Sequence, residues 1–117
     1  MILSADDFFA SLANPVRLRC LLLLMQEDEL CVCELMYALD MSQPMVSRHL
    51  AQLRKSGLVQ DRREGQWIYY RMRNDLPAWV QENLQVTTHG IKDLSPYADD
   101  LASLKDMPNR PSASCCA

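Results

Sequence analysis

The stretch from Glu34 to Arg71 constrains the fold of this chain more than any other segment. It predicts a short helix, a tight turn and a second helix that is capped by Ser42 and ended by Gly57. Two β-prone runs around a turn at Glu64-Gly65 then predict a hairpin. This order is typical of a winged helix-turn-helix, whose second helix lies in the major groove of double-stranded DNA. The predicted fold class is mainly α with a two-stranded β-wing.

The second helix and the hairpin supply side chains that suit DNA contact. Arginine and glutamine form bidentate hydrogen bonds with base edges, and serine reaches a base or a phosphate. Seven basic residues face only two acidic ones between Ser42 and Arg73, although the whole chain carries a net charge of −3. Such a local basic region is an electrostatic footprint for nucleic acid. The predicted DNA-binding residues are Ser42, Gln43, Ser47, Arg48, His49, Arg54, Lys55, Arg62, Arg63 and Gln66. The alternative for His49 is a packing residue that makes one structural hydrogen bond.

Helices outside this segment are candidates for dimerisation, because helix-turn-helix proteins usually bind palindromic sites as dimers. We expect a homodimer formed by the helix from Ser4 to Ala13 and the helix after Pro77. The second of these carries the apolar residues Trp79, Val80, Leu84 and Val86. The alternative is that these faces close the core of the monomer. Residues 1–105 are predicted to form one DNA-binding and dimerisation domain, and residues 106–117, rich in proline, serine and small side chains, a flexible C-terminal tail.

The rest of the chain limits its location and its chemistry. Its longest apolar run is far below the ~20 residues that a membrane span needs, and its first residues lack the pattern of a signal peptide. We therefore expect a cytoplasmic protein without a membrane partner. No phosphate loop, C-x-x-C pair or catalytic triad is recognisable, so no enzyme and no organic cofactor are predicted. Five cysteines, an odd number, do not indicate a disulfide framework.

Two of these cysteines, Cys31 and Cys33, lie one residue apart just before the short first helix of the DNA-binding segment. Side chains at i and i+2 diverge by about 200° on a helix and lie on opposite faces of a strand. The two thiols can bind one ion only if the first lies before the helix or the first turn unwinds. A helix N-terminus also lowers the pKa of a thiol, so we expect thiolates to form there readily.

Thiolates favour soft ions, and the surroundings supply too few ligands for tetrahedral zinc. Arsenite and antimonite, which need two or three sulfurs, fit better. Their binding would distort the start of the first helix of the motif, which packs against the second, DNA-contacting helix, called the reader below. Ligand and DNA would therefore each weaken the other's binding. Alternatives are a sensor of Cd(II), of Pb(II) or of thiol oxidation, and, less favoured, a thiol protein that sequesters metal. A further alternative is that the two cysteines are half-buried and bind no ligand.

Two motifs resemble those of the ArsR family of arsenical-resistance repressors. ELCVC at 29–33 is similar to the family's arsenic-binding segment, and SQPMVSRHL with the wing DRREGQWIYYR is similar to its DNA-binding module. The resemblance covers about Phe8 to Leu84. It implies a homodimeric repressor that binds operator DNA of an arsenic-detoxification operon and is released by As(III) or Sb(III).

The chain departs from the family at one position. Many relatives carry a third cysteine three residues after the second, where this sequence has Met36. A thioether is a poor substitute for a thiolate, so we expect Met36 to lie in the core and the site to have two protein sulfurs with water or a small thiol as the third ligand. Cys115 and Cys116 are the other predicted ligands, and the alternative for them is no role. Cys20 lies in an apolar stripe and is predicted to be a core residue.

Overall fold

A computed structural model of the chain describes residues 3–111. Within that range the chain forms α1 (Ala5–Leu12), α2 (Pro15–Gln26), β1 (Leu30–Cys31), α3 (Val32–Leu39), α4 (Gln43–Lys55), β2 (Val59–Glu64), β3 (Trp67–Met72), α5 (Ala78–Ile91) and α6 (Tyr97–Lys105). This is the predicted winged helix-turn-helix, with α3 and α4 as its two helices and β2–β3 as the wing.

Side-chain caps fix where the helices begin. The Ser4 hydroxyl accepts a hydrogen bond from the Asp7 amide, and the Asn14 side chain accepts from two amides of the first turn of α2. Ser42 caps α4 as predicted. Such caps satisfy backbone donors that a helix cannot pair internally. The bounds of α4 therefore follow from local signals.

The sheet has a third strand that the sequence did not predict. Its order is β1-β3-β2, with both pairings antiparallel. The short strand β1 places Cys31 opposite Tyr69 of the wing. Gly65, with φ +61°, forms the turn between β2 and β3 in a conformation that glycine adopts without steric cost. The wing is thus hydrogen-bonded to the segment that carries the thiols.

The hydrophobic core joins α4 to the helices around it. Val46, Leu50 and Leu53 are fully buried, as their spacing predicted. Val80 and Leu84 of α5 are also buried in the core of this chain, so their expected role in a dimer interface is wrong. Exposed apolar side chains on α1 and α5 are Phe9, Trp79 and Val86.

Two helices extend farther than the sequence predicted. α3 begins at Val32, before the predicted start at Glu34, and α5 continues through Gly90 to Ile91, beyond the apolar residues named for it. A glycine inside a helix costs only about 1 kcal/mol, which surrounding contacts readily offset. α6 packs against α2 and α3. It is held to α2 by a bidentate salt bridge from Arg19 to the buried Asp100, at 2.7 and 2.8 Å.

No single helix between residues 3 and 111 is long and apolar enough to cross a membrane. Only α1 and α2 taken together, across a bend of 96°, reach the necessary length and composition.

Candidate functional site

The two thiols converge because they occupy different kinds of backbone. Cys31 is the last residue of β1 and the N-cap of α3, with extended dihedrals of φ −74° and ψ 152°, whereas Cys33 lies in the first helical turn. Their sulfur atoms are 3.0 Å apart, and the Cys33 thiol donates a hydrogen bond to the Cys31 sulfur. This is the arrangement that the i, i+2 spacing required, with the first cysteine before the helix. Cys31 is buried and Cys33 is partly exposed.

A capping box centred on Glu34 holds this geometry. One carboxylate oxygen of Glu34, Oε1, accepts a 2.8 Å hydrogen bond from the Cys31 amide. The other, Oε2, accepts a 2.7 Å hydrogen bond from Arg110, which also forms a 3.0 Å salt bridge with Glu27. Glu34 is fully buried. Glu34 was not among the predicted site residues, although a glutamate three residues after a capping residue is the signature of a capping box.

Desolvation reverses the expected effect of the helix N-terminus on the thiols. Burial raises the pKa of Cys33 to about 12, and the hydrogen bond with Cys31 and the negative charge of Glu34 add to the rise. The prediction that thiolates form readily at this helix end is therefore wrong for Cys33. The thiol is protonated at neutral pH, and a ligand must displace its proton. Burial likewise raises the pKa of Cys20, a core residue as predicted, to about 12.

The described residues offer two sulfur ligands at this place and not three. No group of three or more His, Cys, Asp or Glu side chains within residues 3–111 could hold a metal ion. Met36 is partly buried and packs against the hydrophobic core, as predicted. Cys115 and Cys116 lie outside the described residues. Two thiols 3.0 Å apart suit a soft ion, because sulfur donors select soft acceptors.

The outward face of α4 presents the predicted base-contacting residues. Ser42, Gln43 and Arg48 are exposed, and Ser47 is partly exposed. Within residues 3–111, Arg48 makes no ion pair, so its guanidinium is available for a new hydrogen-bonding partner. The N-terminal half of α4 therefore has the polar, unpaired surface that a major-groove helix needs.

The structure places His49 on the other side of α4. Its side chain is only 9% exposed, and its Nδ1 atom has no hydrogen-bond partner among the described residues. Burial lowers the pKa of His49, and the charges of Arg48 and Arg17 lower it further, so the ring is neutral at physiological pH. The prediction that His49 contacts DNA is therefore wrong. His49 is a buried packing residue, and among the described residues its Nδ1 atom does not make the structural hydrogen bond expected in the alternative.

The predicted phosphate-contacting residues at the end of α4 and on the wing divide into two groups. Arg54 pairs with Asp61 at 2.9 Å, and Arg62 pairs with Glu29 at 2.7 Å and with Glu64 at 2.8 Å. The second group, Lys55, Arg63 and Gln66, is exposed without a salt bridge to any residue in the described range. The second group is therefore available for phosphates, whereas Arg54 and Arg62 already have carboxylate partners.

Arg62 connects the wing to the thiol segment. Its guanidinium lies 4.4 Å from the centroid of the Tyr69 ring, and it forms two hydrogen bonds with Glu29, two residues before Cys31. Cys31 itself pairs with Tyr69 in the sheet. The start of α3 is therefore linked to the wing by backbone pairing, by a salt bridge and by a stacked guanidinium.

The fold and the exposed reader helix define a DNA-binding regulator of the winged helix-turn-helix class. Comparison with known proteins makes this specific: the chain belongs to the ArsR family of bacterial regulatory proteins, whose family model matches residues 14–61. The arsenic resistance transcriptional regulator ArsR2 of Pseudomonas putida KT2440 is 49% identical over 117 residues, covering 98% of this chain and all of the relative. The predicted family is confirmed, and the chain is a transcription regulator and not an enzyme.

Solved structures agree with this assignment. HlyU from Vibrio cholerae N16961 superposes with a TM-score of 0.66 at 33% identity, over 74% of this chain and 90% of HlyU. The antimony-specific transcriptional repressor AntR superposes with a TM-score of 0.62 at 28% identity, over 79% of this chain and 86% of AntR. The predicted fold class is therefore confirmed.

Proposed function

We propose that this chain is a cytoplasmic repressor that binds operator DNA as a homodimer and is released when Cys31 and Cys33 capture As(III) or Sb(III). The observation that carries the proposal is the 3.0 Å separation of the two sulfurs at the leading edge of α3, the first helix of the DNA-binding motif. The names of two relatives, an arsenic resistance regulator and an antimony-specific repressor, support this class of inducer.

The DNA would be read by the exposed part of α4 and held by its flanks. Arg48 and Gln43 are the side chains best suited to guanine and adenine edges, and Ser42 and Ser47 suit a base or a phosphate. Further contacts with the phosphate backbone are assigned to Arg54, Lys55, Arg62, Arg63 and Gln66. Arg54 and Arg62 would exchange or share their carboxylate partners when they do so, which makes their contribution smaller.

Two routes connect the thiols to the reader. α3 packs directly against α4, so a displaced first turn of α3 moves its packing surface. In addition, Cys31 pairs with Tyr69 of the wing, and Glu29 holds Arg62. Binding that draws Cys31 and Cys33 around one ion changes both contacts. Coupling of about 1–3 kcal/mol between the two sites is enough to release a repressor from DNA.

The exposed apolar surface of α1 and α5 supports dimerisation. Phe9 is 53% exposed and Val86 is 72% exposed, while Trp79 packs its ring edge-on against Phe8 with 5.3 Å between centroids. Trp79 and Val86 are seven residues apart and so lie on the same face of α5. We assign this surface to the homodimer. Sedimentation equilibrium of a Val86→Asp variant should show a shift towards monomer, and an unchanged dimer would place the interface elsewhere.

The test of the inducer is a DNA-release measurement. A duplex selected from random-sequence DNA is labelled, and its fluorescence anisotropy is followed as arsenite is added to wild type and to Cys31→Ser/Cys33→Ser. Wild type should dissociate, and the double variant should bind the same duplex but stay bound. A double variant that is released just as readily would remove the pair as the sensor.

Parallel titrations separate the other candidates. Cd(II), Pb(II) and the thiol oxidant diamide are added in place of arsenite. If one of these releases the protein from DNA at a lower concentration than arsenite or antimonite does, the inducer is that metal ion or thiol oxidation instead. Absence of any sequence-selective DNA binding would favour a metal-sequestering protein, because such a protein has no use for the unpaired surface of α4.

A further inference from the structure

A cavity of about 300 Å³ lies between α1, the start of α2 and the end of α4. Arg17 of α2 and Lys55 of α4 line it, together with the side-chain amide of Gln52. At the same place α1 is joined to α4 by the hydroxyls of Ser11 and Ser56, which are 3.3 Å apart. Neither Arg17 nor Gln52 was among the predicted DNA contacts, so the cavity adds two polar groups that have no assigned role.

The cavity continues the exposed face of the reader helix. Arg48 is followed by Gln52 and Lys55 at four and seven residues, a spacing that places all three on one helical face. All three side chains are exposed. Residues near the N-terminus of a recognition helix contact base edges in the major groove. We therefore expect the far end of the same face, where the cavity lies, to meet the sugar–phosphate backbone.

The guanidinium of Arg17 is held in place without being neutralised. Its Nε atom donates a hydrogen bond to the Ser11 carbonyl and its Nη2 atom donates one to the Ala10 carbonyl, both at 3.2 Å. These bonds fix Arg17 against the C-terminal end of α1. Within residues 3–111 neither Arg17 nor Lys55 forms a salt bridge. Two cations without a carboxylate partner in that range therefore line one cavity.

The chemistry of the lining suits a phosphate group. Arginine binds phosphate through several directed hydrogen bonds, lysine binds it as a point charge, and amides and hydroxyls donate to its oxygens. The exposed Asp7 adds one carboxylate to the lining against the two cations, so the balance is positive. Burial, the charge of Arg48 and the charge of Arg17 lower the pKa of His49. Arg17 thus contributes to the positive field around the reader.

We propose that this cavity binds a phosphate of the operator backbone, with Arg17 and Lys55 as its cations and Gln52 as a hydrogen-bond donor. The inference rests on the proposed function, because it requires α4 to be the reader. It extends the DNA contact from α4 and the wing to the start of α2. A backbone phosphate is the same in every sequence, so this contact adds affinity without base preference.

The salt dependence of DNA binding tests this contact. Each phosphate contact that is lost lowers the slope of log affinity against log salt by about 0.9. With one cavity in each protomer of a homodimer, Arg17→Gln should lower the slope by about 2 and weaken binding to every duplex about tenfold at low salt. Arg17→Lys, which keeps the charge, should recover most of the slope. Anisotropy titrations at several salt concentrations measure both, and a thermal melt shows that each variant is folded.

Two further variants keep the test independent of the hydrogen bonds that Arg17 makes. Asp7→Asn removes the carboxylate from the lining and should tighten binding to every duplex about two- to threefold. Lys105→Gln removes an equal positive charge on α6, outside the cavity, and should leave the slope close to that of wild type.

The outcomes separate this inference from the proposed function. A folded Arg17→Gln variant with the slope of wild type, no gain in Asp7→Asn, or an equal loss of slope in Lys105→Gln would overturn the phosphate site and leave the arsenite-responsive repressor standing. Failure of wild type to prefer any selected duplex over random DNA would overturn the proposed function itself.

Discussion

The Cys33 thiol donates its hydrogen to the Cys31 sulfur across 3.0 Å, and burial raises its pKa to about 12. A soft ion that binds Cys33 as a thiolate must therefore displace a proton at neutral pH. The fate of that proton depends on the ion. A divalent cation sends it to the solvent, whereas arsenite carries it away as water together with one of its own hydroxides.

This difference predicts the sign of two pH dependences. Below pH 12 each proton released to solvent makes binding tenfold tighter per pH unit. From pH 6.5 to 8.0 the affinity for Cd(II) should rise by at least about 30-fold for the single proton of Cys33. The affinity for arsenite should stay nearly constant. Calorimetric titration in two buffers of different ionisation enthalpy counts the protons directly, and an arsenite affinity that climbs as steeply as that of Cd(II) would contradict the thiol assignment.

Arg48 and Arg54 lie on the same helix but differ in their partners, and this predicts different effects on DNA binding. Arg48 is exposed and unpaired within residues 3–111, whereas Arg54 is engaged by Asp61 at 2.9 Å. Arg48→Ala should weaken binding to the selected duplex by about 1–3 kcal/mol and relax the preference at one base pair. Arg54→Ala should weaken all duplexes alike and by less. Anisotropy with single-base variants of the duplex measures both, and equal, sequence-independent losses would move Arg48 to the phosphate-contacting group.

How far the sequence predicts this site depends on how local the signal is. Ser42 and Gly57 bound the reader helix through capping preferences that act within one turn, so α4 was predictable. The burial of His49 was also available, because it falls three residues after Val46 and four before Leu53, on the same helical stripe. The polar side chain of His49 favoured a DNA contact, whereas its position on this apolar stripe correctly indicated burial.

Other features depend on parts of the chain that are far apart in sequence. Strand β1 has only two residues and exists because it pairs with Tyr69 and Tyr70 of the wing. The contact between Arg110 and Glu34 spans 76 positions. Neither pairing leaves a periodic pattern, because a two-residue strand has no alternation and a single ion pair has no repeat. The raised pKa of Cys33 likewise depends on burial, which the spacing of the two cysteines does not specify.

The salt bridge between Glu29 and Arg62 predicts a variant that alters the coupling between the thiol pair and DNA binding. Glu29→Gln removes the bidentate partner that ties the wing to the residues before Cys31. Because the Arg62 side chain is 48% exposed and solvent screens the pair, stability should change by only about 1 kcal/mol. The ratio of DNA affinities without and with arsenite should fall, since one of the two links to the thiols is lost.

A second exposed pair serves as the control for this variant. Asp75 accepts two hydrogen bonds of 2.8 and 2.9 Å from Arg73, and among the described residues no hydrogen bond or salt bridge joins it to residues 29–33. Asp75→Asn should leave the affinity ratio at the value of wild type. If both variants reduce the ratio equally, general loosening of the wing and not the Glu29 link is the cause.

Adjacent aspartates on α6 predict very different costs in stability. Asp100 is buried and accepts two hydrogen bonds from Arg19 of α2, whereas Asp99 is exposed and accepts a hydrogen bond from the nearby Ser95. Asp100→Ala leaves a partly buried guanidinium without its anion and should lower the free energy of unfolding by about 2–3 kcal/mol, a little less than a fully buried pair because water reaches Arg19. Asp99→Ala should change it by less than about 0.5 kcal/mol. Urea unfolding of both variants measures the difference. An equal loss of unfolding free energy in both variants would mean that the salt bridge between Arg19 and Asp100 does not hold α6 in place. α6 also packs against α3, the helix that carries Cys33.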